Sequence, residues 1–201
     1  MTQNNAGKKS GDEAVQAFIE LRETVARLRA EDGCPWDRAQ THETLKPECV
    51  EEAAEVICGI NILRETGSPD SLIEELGDLL LQVLMHAQIG EEEGLFSLSQ
   101  VISCVNEKMV RRHPHVFGDK SLEYIRKLKE KNRTSSEQTE QEYAAGTGLG
   151  QEADTSVPAD WKYIKSLEKQ GREWEEEYLF RAFDESAKLI EVARERKRKK
   201  A

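Results

Sequence analysis

Four segments of this chain place apolar residues at three- and four-residue steps, and this period is typical of packed amphipathic helices. The first segment opens with a capping box from Ser10 to Glu13 and ends near Glu31. The other three run from about 47 to 65, from about 70 to 91, and from about 97 to 113. Because the connections between them are short, the pattern predicts an all-α fold with a four-helix-bundle-like core.

The remaining segments set the predicted domain boundaries. Residues 1–10 are small and polar and are predicted to form a disordered tail, which precedes a helical domain over residues 11–131. Residues 132–158 hold too few apolar side chains to offset the entropy of ordering, so they are predicted to be a flexible insertion. Residues 159–201 return to helical spacing and predict a long C-terminal helix.

The predicted C-terminal helix ends in a basic tail, Arg194 to Lys200. Positive side chains interact favourably with the dipole at a helix C-terminus, so a solvated helix end is one interpretation of this tail. A nuclear address or an RNA contact is the other. Upstream of the tail, Trp174, Tyr178 and Phe183 are predicted to pack on the rest of the fold.

Charge and cysteine content argue against several classes of function. The net charge of -10 gives the surface as a whole no electrostatic reason to bind nucleic acid. The cysteines form no CxxC pair, which argues against a structural zinc site or a disulfide framework. The sequence shows no apolar signal region and no apolar run of roughly 18 residues, so we expect no membrane association and a cytoplasmic location.

Acidic residues lie on or beside the inward faces of two predicted helices. Glu51, Glu52 and Glu55 share an arc of about 100° on the second helix. On the third helix, one polar line crosses an otherwise apolar cylinder, and it consists of Glu75, Asp78, Gln82 and His86. Buried carboxylates on adjacent helices repel one another unless a cation lies between them.

A hard divalent cation is the natural counter-ion for such a cluster. Mg²⁺, or Mn²⁺ in its place, takes carboxylate oxygens as ligands and keeps other positions for water or phosphate. Solvated acidic helix faces are the ordinary alternative in a chain this acidic. A di-iron bundle is disfavoured, because no histidine of the chain follows a glutamate by three residues.

Two cations continue the inner stripe of the fourth predicted helix. Lys108 and Arg112 lie near its C-terminal end, where they could face the acids and bind a polyphosphate bridged to the metal ion. Exposed partners of the helix dipole are the alternative interpretation of the same two residues.

The acidic motifs Glu51-Glu52-x-x-Glu55 and Glu75-x-x-Asp78 resemble the EExxE and ExxD motifs of the MazG-type nucleoside triphosphate pyrophosphohydrolases. The likeness covers residues 33–47, 74–98, 106–119 and 161–169. It implies a magnesium-dependent all-α enzyme that forms homodimers or homotetramers. It also implies metal ligation by Glu52, Glu55, Glu75 and Asp78, with Glu51 and Glu52 acting on the attacking water.

The resemblance assigns further residues to the substrate. Lys108, Arg112, Trp161 and Lys165 match the positions that hold the triphosphate and the nucleoside. In the segment that contains Cys-Pro-Trp-Asp, Trp36 and His42 could stack on or hydrogen-bond the base, although Trp36 could equally anchor the core.

The resemblance thus implies the hydrolysis of an NTP or dNTP to the monophosphate and pyrophosphate, as a housekeeping activity on the nucleotide pool. Two alternatives use the same fold. One is a nucleotide-binding sensor that does not turn its ligand over, and the other is a helical scaffold whose C-terminal helix recruits a partner.

Overall fold

A computed structural model describes residues 3–133 and 159–200 of the chain. Every regular element in these ranges is a helix, so the all-α prediction is confirmed for them. The helices are α1 Gln3–Arg29, α2 Pro35–Arg38, α3 Lys46–Thr66, α4 Asp70–Glu92, α5 Leu98–Arg112, α6 Pro114–Phe117, α7 Asp119–Arg133, α8 Ala159–Lys169 and α9 Glu175–Lys200. Among the described helices, none combines the length and the apolar composition that a membrane span requires.

The four predicted segments correspond to α1, α3, α4 and α5, and the differences lie at the ends of the chain. Helix α1 begins at Gln3 and therefore extends into the segment predicted to be a disordered tail, residues 1–10. The single C-terminal helix predicted over 159–201 is instead two helices, α8 and α9, with Gly171 between them at a left-handed φ of 77°. Most of the predicted insertion, residues 134–158, lies outside the described residues.

The described chain divides into two compact units. One comprises the residues up to Val101 together with those from Ala182 onward, and the other comprises Ile102–Arg181. The first unit is built around side chains from α1, the start of α3, α4 and the start of α5. Its buried core consists of Val25, Leu45, Leu84, Met85, Ala87, Ile89 and Leu98.

Helices α3 and α4 of the first unit form an antiparallel hairpin that carries the predicted acids. Helix α3 has a proline in its first turn, and it ends where Gly67, at a left-handed φ of 78°, donates its N–H to the Leu63 carbonyl at 2.9 Å. The two helices approach closely at Gly59, where a Cβ atom would lie 2.8 Å from the Cα atom of Leu72. This approach brings the acid-bearing turns beside it into contact.

The second unit packs α6, α7 and α8 with the later part of α5. Val110, Ile125 and Ile164 are its buried apolar side chains, and the fully buried Ser121 hydroxyl donates to the Arg111 carbonyl at 2.9 Å. The prediction that the aromatic residues of the C-terminal helix pack on the fold is wrong, because Trp174, Tyr178 and Phe183 are exposed.

Candidate metal centre and nucleotide site

Three carboxylates from α3 and α4 converge in the first unit. Oxygens of Glu52, Glu75 and Asp78 lie within 4.8 Å of one another, and all three side chains are half-buried. One oxygen of the group, Oε2 of Glu52, is buried and has no hydrogen-bond partner in the part of the chain that the structure describes. A buried anionic oxygen without a donor is costly, and a hard divalent cation would satisfy it.

The pKa values of this cluster also indicate an unfavourable environment for free carboxylates. Burial raises the pKa of Glu52 to about 7, and the neighbouring carboxylates of Asp78, Glu55 and Glu75 add to the shift. The pKa of Glu75 is also raised, by loss of solvation and then by Glu55 and other nearby acids, while Lys197 opposes the rise. Without a cation, therefore, the cluster favours protonated carboxyl groups, and these residues fit a bound divalent ion.

The two other predicted acids of α3 point toward α9. The Oε2 atom of Glu51 lies 3.3 Å from a guanidinium nitrogen of Arg196, and its Oε1 atom lies 3.3 Å from Nζ of Lys197. Glu55, the fourth predicted metal ligand, is in direct contact with the same Lys197 nitrogen. Glu55 is therefore close enough to raise the pKa values of Glu52 and Glu75, but its carboxylate is paired with a cation.

A row of contacting polar side chains lies near the acids and begins at Cys49, about one turn before Glu52 on α3. The Nδ1 atoms of His42 and His86 lie 2.7 Å apart, and the two rings are stacked with their centroids 5.0 Å apart. On the other side of His86, its Nε2 atom lies 3.3 Å from Sγ of Cys49. Phe96 stacks on His42 at a centroid distance of 6.0 Å, with 25° between the ring planes.

Burial determines the charge states of His86 and Cys49. Burial lowers the pKa of His86, with a further contribution from His42, and burial raises the pKa of the Cys49 thiol. The neutral forms of His86 and Cys49 are therefore favoured, and the tautomer of each ring decides which atom donates in the two contacts of His86. The Nε2 atom of His42 lies 4.0 Å from a carboxylate oxygen of Glu93.

The segment that carries Trp36 is held by a buried arginine. The Arg29 guanidinium donates to the carbonyl oxygens of Asp37 at 2.6 Å and Gln40 at 3.1 Å, and it pairs with Glu92 at 2.7 Å. Trp36 itself is 65% exposed, so the interpretation of this residue as a core anchor is wrong. The exposed ring is available for stacking, and contact with a base stays a prediction.

The predicted triphosphate and nucleoside residues lie in the second unit, where three of them meet. Nζ of Lys165 lies 4.2 Å from the ring centroid of Trp161, and the Arg112 guanidinium carbon lies 5.7 Å from the same ring. Both are cation–π distances. Lys108 is half-buried one helical turn before Arg112 on α5.

Sequence reasoning missed the acid that fixes Arg112. Glu168 accepts hydrogen bonds from Arg112 at 2.5 and 3.0 Å and from Arg111 at 2.6 and 2.9 Å, with only 12% of its side chain exposed. Burial opposes its ionisation, but the two guanidinium groups outweigh burial and lower its pKa. Glu168 lies seven residues after Trp161 and three residues after Lys165. This spacing places the three on one helix face, and it is the sequence signal that could have identified Glu168.

Comparisons with known proteins cover part of this site. The MazG nucleotide pyrophosphohydrolase domain matches residues 40–117, a range that contains the acid cluster, His42 and Arg112. Trp36, Trp161 and Lys165 lie outside that range. No solved structure is significantly similar to this chain.

Similar proteins come from several bacteria. The chain is 51% identical to the nucleoside triphosphate pyrophosphohydrolase/pyrophosphatase MazG of Thermotoga maritima over 107 residues. These residues make up 53% of this chain and 40% of that protein. It is 48% identical over 100 residues to the nucleoside triphosphate pyrophosphohydrolase of Escherichia coli K12, 49% of this chain and 36% of that protein. It is 52% identical over 102 residues to the uncharacterized protein YabN of Bacillus subtilis, 51% of this chain and 20% of that protein.

The chain thus spans less than half the length of each of these three relatives. The domain match contains the acids of α3 and α4 that converge. Residues 40–117 of this chain belong to the MazG nucleotide pyrophosphohydrolase domain family.

Proposed function

We propose that this chain is a nucleoside triphosphate pyrophosphohydrolase that requires Mg²⁺, or Mn²⁺ in its place. It converts an NTP or dNTP and water into the monophosphate and pyrophosphate. The observation that carries the proposal is the buried Oε2 atom of Glu52, which lacks a hydrogen-bond partner among the described residues and belongs to the convergent acid group. The names of the similar proteins from Thermotoga maritima and Escherichia coli K12 support the same reaction.

In this proposal Glu52, Glu55, Glu75 and Asp78 would hold the metal ion, and the ion would neutralise charge on the triphosphate and activate a water molecule. Glu51 and Glu52 would orient the attacking water, and one of the two would take its proton as the water oxygen bonds to phosphorus. The bond that breaks is the anhydride link between the α- and β-phosphates. The negative charge that develops on the leaving pyrophosphate is stabilised by Lys108 and Arg112.

The nucleoside is assigned to the aromatic residues. Trp161 and Lys165 contact the nucleoside or its phosphates, and Trp36 and His42 contact the base. Support comes from the exposed ring of Trp36, from the ring contact of His42 with Phe96, and from the cations placed over Trp161. The proposal includes the cytoplasmic location and the role in the nucleotide pool that the sequence predicts.

A homo-oligomer is part of the proposal, with a four-helix-bundle-like core in each copy. Helix α4 exposes apolar residues at three- and four-residue steps, namely Ile73, Leu76, Leu80 and Val83. Such a stripe is unfavourable in water and fits the same stripe of a second copy about a twofold axis. A homodimer through α4, or a homotetramer built from two such dimers, would cover it.

The test is the release of pyrophosphate from a panel of nucleoside triphosphates, with and without Mg²⁺. Glu52→Gln and Asp78→Asn should lower turnover by at least about a hundredfold, because each removes charge from the metal site. The matched control is Glu65→Gln, which changes an exposed acid at the end of α3 that pairs with its neighbour Arg64.

Each alternative has its own outcome. A sensor would bind nucleotide with Mg²⁺ and release no pyrophosphate from any member of the panel. A scaffold would do neither, and it would lose partner binding when α9 is deleted. Magnesium-dependent release that survives both site substitutions would refute the assignment of the acid cluster.

A further inference from the structure

The basic end of α9, Arg194–Lys200, reaches the acids of α3 within the first unit. Lys197 bridges two of them, since its Nζ atom lies 3.3 Å from Oε1 of Glu51 and contacts Oε1 of Glu55 directly. Arg196 adds a second cation at 3.3 Å from Oε2 of Glu51. The same carboxylates are needed in the proposed reaction, so the chain itself supplies cations to a site that is assigned to a metal ion.

Charge rather than packing holds this contact. A cavity of about 320 Å³ lies between the two helices, lined on one side by Val50 and Ala54 and on the other by Ile190 and Ala193. The Lys197 side chain is 56% exposed, while its partners Glu55 and Glu51 are 30% and 12% exposed. An ion pair with a solvent-exposed cation contributes little to stability and is weakened by salt. The basic end of α9 can therefore leave α3 without disrupting a packed core.

An ammonium group and a divalent ion would compete for the negative charge of Glu55. Its Oε1 atom already contacts Nζ of Lys197, and a divalent ion would bring twice the charge of the ammonium group to the same carboxylate. Glu52, Glu75 and Asp78 already converge without Glu55. Glu55 is thus the predicted ligand whose availability depends on another part of the chain.

We propose that Lys197, assisted by Arg196, is a positioning residue that holds Glu55 away from the metal site and is displaced when a divalent ion binds. The inference rests on the proposed function, because it takes Glu55 to be a metal ligand. The basic end of α9 then acts as an internal competitor of the ion, and it sets the concentration of Mg²⁺ or Mn²⁺ at which the site fills.

The experiment measures Mn²⁺ affinity of the full chain by electron paramagnetic resonance, in the absence of nucleotide. Lys197→Met should lower the Kd for Mn²⁺ by about two- to fivefold, which corresponds to the loss of one or two exposed ion pairs. Lys199→Met is the matched control, since it removes the same charge from the same helix turn and, among the described residues, Lys199 forms no ion pair with Glu51 or Glu55.

A second readout follows the tail directly. Hydrogen–deuterium exchange of the backbone amides in residues 192–199 should speed up when Mn²⁺ is added to the unsubstituted protein, because the helix end loses its partners on α3. The same amides should already exchange fast in Lys197→Met, and Mn²⁺ should change them little.

Three results would overturn the inference. Equal Mn²⁺ affinity of Lys197→Met and the unsubstituted protein, with a raised KM for nucleotide, would make Lys197 a substrate-binding residue instead. Equal tightening by Lys197→Met and Lys199→Met would reduce the effect to net charge. Absence of Mn²⁺ binding in every variant would remove the metal site itself, and this failure of the proposed function is distinct from the first two results.

Discussion

Glu52 is the residue on which the candidate site depends most, because its environment suits a cation and penalises a free carboxylate. Its pKa of about 7 lies well above the ordinary value of 4.5, so the folded protein keeps the proton over a pH range in which the unfolded chain has lost it. The native state therefore binds more protons than the unfolded state in this window. By linkage, the contribution of Glu52 to stability falls as the pH rises from about 4.5 to about 7.

We predict that the metal-free protein loses about 1 to 3 kcal/mol of unfolding free energy from this group between pH 5 and pH 8. Urea denaturation at a series of pH values, in the presence of a chelator, measures the loss. Glu52→Gln should flatten the pH dependence and stabilise the metal-free protein at pH 8, whereas Glu65→Gln should leave the slope unchanged. The same slope in the unsubstituted protein and in Glu52→Gln would contradict the proposed protonation.

How far sequence predicts individual residues depends on how many separate elements must meet. Glu52 and Asp78 could be placed from spacing alone, since each lies on the inward face of its own helix. The contact of Cys49 with His86 could not, because it depends on the register between α3 and α4. The pairing of Glu51 with Arg196 spans 145 positions in the chain, and nothing in local spacing indicates it.

At the scale of elements, the hairpin of α3 and α4 determines the distance between the acids. Gly59 permits the approach, because a Cβ atom in its place would lie 2.8 Å from the backbone of Leu72, and backbone cannot move aside as a flexible side chain can. Glu55 and Glu75 lie about one turn from this contact, and Glu52 and Asp78 lie about two turns from it, so any widening at Gly59 separates the acids of the two helices as well.

Gly59→Ala should therefore destabilise the protein by about 1 to 3 kcal/mol and weaken Mn²⁺ binding, even though alanine favours helix more than glycine does. The matched control is Gly11→Ala on α1, where an added Cβ would meet open space. This control should stabilise the protein by up to about 1 kcal/mol and leave Mn²⁺ affinity unchanged. Thermal denaturation and Mn²⁺ titration of the two variants test the idea, which fails if both behave alike.

Element boundaries were predictable where a local stop signal coincides with the end of the apolar period. Gly67 ends α3 in this way, close to the predicted end. The break after α8 was missed, although Gly171 is a similar signal, because helical spacing resumes immediately on its far side. Exposure of Trp174 and Phe183 was also missed, since an apolar stripe on a helix does not reveal whether this chain or another molecule covers it.

At the scale of the whole molecule, the exposed apolar stripe of α4 bears on the oligomeric state of the protein. Leu80, which lies in the middle of that stripe, is 37% exposed, and Leu95, which lies outside it, is 65% exposed. Both leucines are exposed, so exposure alone does not show which of them lies in an interface. What distinguishes them is that Leu80 has apolar neighbours at helical steps on both sides, which a second copy could cover together.

We therefore expect Leu80→Glu to raise the dissociation constant of self-association by at least about tenfold, because it would place an ionised carboxylate inside an apolar interface. Leu95→Glu makes the same change at the more exposed position and should leave self-association intact. Sedimentation equilibrium over a range of protein concentrations measures both, and Mn²⁺ titration checks that the acid site is preserved. If the unsubstituted chain sediments as a monomer at every concentration, or if both variants dissociate equally, the stripe does not join copies of this chain.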